Sequence, residues 1–201
     1  MAVSRLSQQS LQQAFPKGNT FWDGTTATSA FDSLGTVVLA ANSTTVTFSN
    51  IPQTYAHLQL RYVTRTSTAN AGSWSSMVFS TSFNAGATGY NNHILYGDGT
   101  NALSTYEGLT NRINFGTTAG NGSIANSFGS GVFEILDYSN TDKFKTVRFL
   151  DGFDSNTSGL VALRSGLWQS SSAISSITFG PENFAGLSYL TNSSFSLYGI
   201  K

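Results

Sequence analysis

Polar and apolar residues alternate along this chain with a period of two, in short runs separated by turn-forming clusters. In 57–66, Leu58, Leu60 and Tyr62 fall on one side, and Gln59, Arg61 and Arg65 on the other. In the closing segment 194–200, Phe195, Leu197 and Gly199 alternate with Ser194, Ser196 and Tyr198. Successive side chains of a strand point to opposite faces, so this period predicts strands with one buried and one wet face. Similar runs occupy 34–41, 44–48, 74–83, 93–96, 109–115, 132–138, 144–149, 160–168 and 173–179. Asn42-Ser43, Gly97-Asp98-Gly99 and Ala119-Gly120-Asn121-Gly122 supply the positive φ that turns require, and Asn50-Ile51-Pro52 stops a strand. The turn at 42–43 predicts a hairpin of 34–41 with 44–48. The stretch 84–130 is rich in Gly and Asn, with short strand candidates at 93–96 and 109–115 among turns and loops. The expectation is an all-β fold, an antiparallel β-sandwich of jelly-roll-like type, spanning 34–201.

Residues 1–33 follow another pattern. Positions 4–14 suit a short helix, because Gln and Leu are good helix formers, and Pro16 ends it. The apolar residues are too sparse for an amphipathic face. The remainder reads as an extended N-terminal arm. Leu6, Leu11, Phe15, Phe21 and Trp22 are its candidate partner-binding residues, since exposed aromatic surface is unfavourable in water.

Charged residues make up only 10% of the 201, against the roughly 25% usual in globular proteins. Ten acidic residues balance ten basic ones, which argues against a nucleic-acid surface, because phosphate binding needs a basic stripe. A neutral, weakly charged surface is poorly protected against self-association, which points to life within an assembly. Cysteine is absent, so disulfides and thiolate metal sites are excluded. No apolar run approaches the ~18 residues of a membrane helix, and no secretory signal is expected in 1–15.

No constellation points to catalysis. His57 and His93 stand in separate strand-like contexts, where an ordinary structural histidine is the simpler reading. Asp151, Asp154 and Asn156, like Asp137, Asn140 and Asp142, place oxygen ligands close together in predicted loops. Calcium needs six to eight such oxygens, and Asx turns explain both groups more simply. Neither a nucleophile elbow nor a phosphate-binding glycine loop is present. Glutamate is limited to Glu107, Glu134 and Glu182, and Glu134 alternates with Phe133 and Ile135 as a surface charge would. Tyr90, Tyr106 and Trp168 are aromatics suited to stacking on sugars, although core packing is the usual fate of such residues. The expectation is a protein that is not an enzyme and uses no cofactor or metal.

Several segments resemble virion proteins of tailed bacteriophages, especially those of aquatic phages. They are Ser4-Arg-Leu-Ser7, Phe31-Asp-Ser-Leu34, Thr47-Phe-Ser-Asn-Ile-Pro-Gln-Thr-Tyr55 running into His57-Leu-Gln-Leu-Arg61, and Leu95-Tyr-Gly-Asp-Gly99. They continue with Ile135-Leu-Asp-Tyr138, Lys143-Phe-Lys-Thr-Val147, Ser165-Gly-Leu-Trp-Gln169, Ala173-Ile-Ser-Ser-Ile177 and the closing Ser194-Phe-Ser-Leu-Tyr-Gly-Ile-Lys201. The match covers nearly the whole chain and is weakest across 67–130. The resemblance implies a structural component of a virion, assembled in the host cytoplasm, of the tail-fibre or appendage type, with a capsid decoration (cement) protein as the alternative. It further implies a homotrimer held to other virion proteins by the arm. Loops within 67–130 would then face a neighbour or a host-surface glycan, with no nucleic acid bound and no membrane inserted. The group supplies no site residues to carry over.

Overall fold

A computed structural model describes residues 30–69, 78–86, 88–156, 158–181 and 186–201. The described residues form twelve strands and no helix. They are β1 Phe31–Val38, β2 Val46–Phe48, β3 His57–Thr64, β4 Val78–Phe83, β5 Tyr90–Gly97, β6 Ala102–Thr110, β7 Ile113–Thr117, β8 Gly129–Leu136, β9 Lys145–Asp154, β10 Gly159–Trp168, β11 Ile177–Pro181 and β12 Ser194–Ile200. The arm residues Leu6, Leu11, Phe15, Phe21 and Trp22 lie outside the described residues, as does the helix expected at 4–14.

Two sheets form, with orders β1-β12-β3-β8-β9-β10-β5-β6 and β2-β11-β4-β7, and every strand pairing is antiparallel. The first strand pairs with the last, β2 with β11, β3 with β8 and β4 with β7. That is a long antiparallel hairpin rolled up on itself, the pattern of a jelly roll. Eight strands complete it: β1-β12-β3-β8 against β2-β11-β4-β7. The other four are two inserted hairpins. β5–β6 follows β4, β9–β10 follows β8, and together they extend the larger sheet beyond β8.

The inner faces carry the apolar half of each alternating run. Leu58, Leu60, Phe133, Ile135, Phe195 and Leu197 from the large sheet meet Val46, Phe48, Phe83, Ile113, Ile177 and Phe179 from the small one. Phe133 stacks on Phe149 at 4.7 Å and meets Phe179 edge-on at 6.3 Å. Each such side chain contributes roughly 1.5–3 kcal/mol by leaving water. The closing strand β12 lies inside the sheet between β1 and β3, with Phe195 and Leu197 wholly buried. Its Gly199 is required by close approach, because a Cβ there would lie 2.4 Å from the Tyr55 ring.

A second, smaller core of Ile94, Ala119, Phe153, Leu160 and Ala162 underlies the extension. The Asp151–Arg164 ion pair is held at 2.9 Å with both side chains fully buried. Thr117 donates its backbone N–H (2.8 Å) and its hydroxyl (2.5 Å) to the same carboxylate. Arg65 donates to the carbonyls of Ser123, Ile124 and Ser127 and so ties down the turn-rich segment after β7. Lys145, fully buried, gives its ammonium to the carbonyls of Asn140, Lys143 and Ser171.

Four expectations are corrected. Runs 34–41 and 44–48 do not form a hairpin: β1 pairs with β12 in one sheet and β2 with β11 in the other. The chain crosses the sandwich between them, and only tertiary pairing selects that path. Phe31 to Ser33 belong to β1, not to the arm, because β12 runs on to Ile200 and supplies them with partners. The run 109–115 is split between β6 and β7 at 111–112. Asp151 to Asp154 are the end of β9 rather than a loop, since β10 pairs along that length and β8 pairs with Asp151 and Gly152.

Candidate functional site

The outer face of the eight-stranded sheet carries no covering layer among the described residues. Antiparallel register sets its side chains in rows. One row runs Gln59, Glu134, Arg148, Ser165, His93, Tyr106 across β3, β8, β9, β10, β5 and β6. The next, two residues along each strand, runs Arg61, Val132, Leu150, Leu163, Leu95, Ser104. The first is polar and aromatic, and the second is aliphatic at its centre.

The polar row is internally bonded. Arg148 meets Glu134 at 2.7 Å, and Gln59 donates to the other carboxylate oxygen at 3.1 Å. Arg61 donates to the Gln59 side-chain amide oxygen at 2.8 Å, and its guanidinium lies over the rings of Tyr198 (5.0 Å) and Phe31 (5.4 Å). Glu134 is therefore a held, compensated carboxylate. The aliphatic row is wet. Leu95, Leu150 and Leu163 are 54%, 57% and 56% exposed, and Val161 beside them is 59% exposed. Contiguous exposed aliphatic side chains of this kind mark interaction surfaces.

The two rows meet in a hollow of about 650 Å³ over β9, β10, β5 and β6. Its walls are Arg148, Ser165, His93 and Tyr106 from the polar row, and Leu163, Leu95 and Ser104 from the aliphatic one. Tyr106 is 56% exposed, and its ring packs on His93 at a centroid distance of 4.7 Å. Gly108, two residues on, leaves the space beside the Tyr106 hydroxyl: a Cβ there would lie 2.3 Å from that oxygen. The ring thus lies between an imidazole and a gap in its own strand.

No protein-family model matches the chain, and no curated protein matches it significantly.

The candidate residues read from the sequence divide as follows. His93 and Tyr106 come together in the hollow. His57 is elsewhere and structural, its Nδ1 accepting the Asp137 N–H at 3.0 Å. Tyr90 and Trp168 are core, stacked on each other at 6.0 Å and buried. Glu107 falls in β6, with its side chain outside the described set. Asp137 pairs with Lys143, whose hydrogen bond holds the carboxyl below its usual range. Asn140 accepts the Asp142 N–H, and Asp154 accepts that of Asn156. Both are Asx turns. Among the described residues no cluster of three or more His, Cys, Asp or Glu is placed to hold a metal ion. Leu95, Leu163, Ser104, Ser165 and Arg148 were not read from the sequence as site residues. A strand shows which face a residue takes, but register alone shows which strands it sits beside.

Proposed function

We propose that this chain is a structural, non-catalytic module of a tailed-bacteriophage virion, of the tail-fibre or appendage type, present as a homotrimer. Its N-terminal arm holds it to other virion proteins, and the outer face of β9-β10-β5-β6 is turned toward the host surface. The observation that carries the reading is that face. A jelly roll is already closed by eight strands, yet two inserted hairpins widen one sheet and expose Leu95, Leu150, Leu163 and Val161 on it. Jelly rolls recur in viral shells and in lectins, and function in such folds resides in what is added to the scaffold. Low charge and a neutral balance suit a subunit of an assembly.

The test is immunogold labelling of phage particles with antibody to the purified protein. Label at tail appendages is the expected result. Label confined to the head would replace the appendage by a decoration protein, and unlabelled particles would remove the virion reading altogether. Light scattering of the purified full chain is expected to give three copies, and a monomer at all concentrations would remove the trimer.

A further inference from the structure

We infer that the hollow over β9, β10, β5 and β6 binds a neutral pyranose, seated on the ring of Tyr106. The inference deepens the proposed host-facing role and rests on that reading only for the direction in which the hollow faces.

A pyranose presents an apolar face of C–H groups and a rim of hydroxyls. A site for it needs an exposed aromatic ring, an apolar flank and hydroxyl-matching polar groups around them, within the roughly 300–1,000 Å³ typical of small-molecule sites. The hollow has each of these at about 650 Å³. Tyr106 provides the ring, which packs on His93 and lies in the space left by the missing Cβ of Gly108. That arrangement fixes the ring before a ligand arrives and lowers the ordering cost of binding. Leu95 and Leu163 provide the apolar flank, and Ser104, Ser165 and Arg148 the polar rim.

Charge decides between ligand classes. Two arginines line the hollow, and both are compensated: Arg148 by Glu134 at 2.7 Å, Arg164 by the buried Asp151 at 2.9 Å. An anionic ligand would find no unopposed cation there, so phosphate, sulfated sugars and uronic or sialic acids are disfavoured. The aliphatic flank disfavours a bare ion. An uncharged sugar satisfies both conditions.

The position on the fold agrees. Every wall of the hollow comes from the two inserted hairpins, and none from the eight strands that close the jelly roll. A scaffold already complete without those hairpins carries them for another purpose.

The experiment uses the full chain in two assays. One is saturation-transfer NMR with the methyl glycosides of glucose, galactose and mannose. The other is an array holding neutral, sialylated, uronic and sulfated oligosaccharides. The expected result is binding to at least one neutral class. Tyr106→Ala should weaken it roughly tenfold by removing the ring, whereas Tyr106→Phe should retain it. Gly108→Ala should weaken it too, because the added Cβ would push the Tyr106 ring out of place while every wall residue keeps its identity. Circular dichroism and thermal melting accompany each variant, and the Tyr106 variants are expected to keep the fold because the side chain is half-exposed. Absence of neutral-sugar binding, binding restricted to acidic glycans, or a Tyr106→Ala variant that binds as well as the parent would each overturn the inference. Failure here is separable from failure of the virion reading. A silent array with labelled particles removes the sugar alone, and sugar binding by a protein absent from particles removes the virion role alone.

Discussion

Asp151 and Arg164 form, among the described residues, the ion pair with both side chains fully buried. Two charges leave water completely, and their attraction, with the two bonds from Thr117, offsets the desolvation. Removing one partner strands the other. Arg164→Met is therefore expected to lower unfolding stability by about 3–5 kcal/mol in urea titration. Adding Asp151→Leu should recover part of that loss, since an apolar pair of similar size avoids the buried charge. If the double variant is no more stable than the single one, the pair matters through its shape and not its charge. At this scale the sequence misleads. Asp151-Gly-Phe-Asp154 has turn composition, yet it is paired with β10 throughout and with β8 at Asp151 and Gly152, and the partner of Asp151 lies on the next strand. Sequence spacing carries no record of such a meeting.

The inserted hairpin β5–β6 was the least legible element. His93 to Tyr96 stands out as a strand, whereas Ala102 to Glu107 shows no alternation, because an edge strand with both faces partly wet has no need of one. The turn between them was legible from Gly97-Asp98-Gly99. The Asp98 carboxylate accepts the N–H groups of Thr100 (2.9 Å) and Asn101 (2.7 Å), and these bonds hold its pKa below the ordinary value. Asp98→Ala should speed amide hydrogen exchange in β5 and β6 and leave exchange in β3 and β8 unchanged. A uniform increase across the sheet would show that the hairpin does not open by itself. Acidification through the lowered pKa of Asp98 should loosen the same amides, because the bonds are made to the carboxylate.

At the scale of the whole molecule, stability should depend on alkaline pH through buried tyrosines. Burial pushes the Tyr90 phenol up to about 12, and that of Tyr62 and Tyr189 upward in the same direction. In the unfolded chain these groups ionise near 10. Above that pH the unfolded state releases protons that the folded state retains, so stability falls as pH rises. The urea midpoint is expected to hold between about pH 7 and 9 and to drop from about pH 10 upward. Tyr90→Phe should make the fall shallower, and an unchanged slope would exclude Tyr90 from it. A chain lacking 1–29 should keep the β-sheet circular dichroism of the parent and fail to join particles. Loss of the β signal would place the arm in the core. The cut belongs before Ala30, whose carbonyl already accepts the Lys201 N–H at 3.3 Å.

Sequence by itself determined the all-β class, the burial of Leu58, Leu60 and Tyr62 in β3, and the closing segment, whose alternation of Phe195, Leu197 and Gly199 is the burial observed. These follow from the period of two, which is local and needs no partner. Tertiary structure alone decided which sheet each strand joins, that the closing strand lies between β1 and β3, and that His93 and Tyr106 share one hollow. Pairing distant strands is a competition among many similar edges. It is settled by how all the buried faces pack at once, and no single run encodes it.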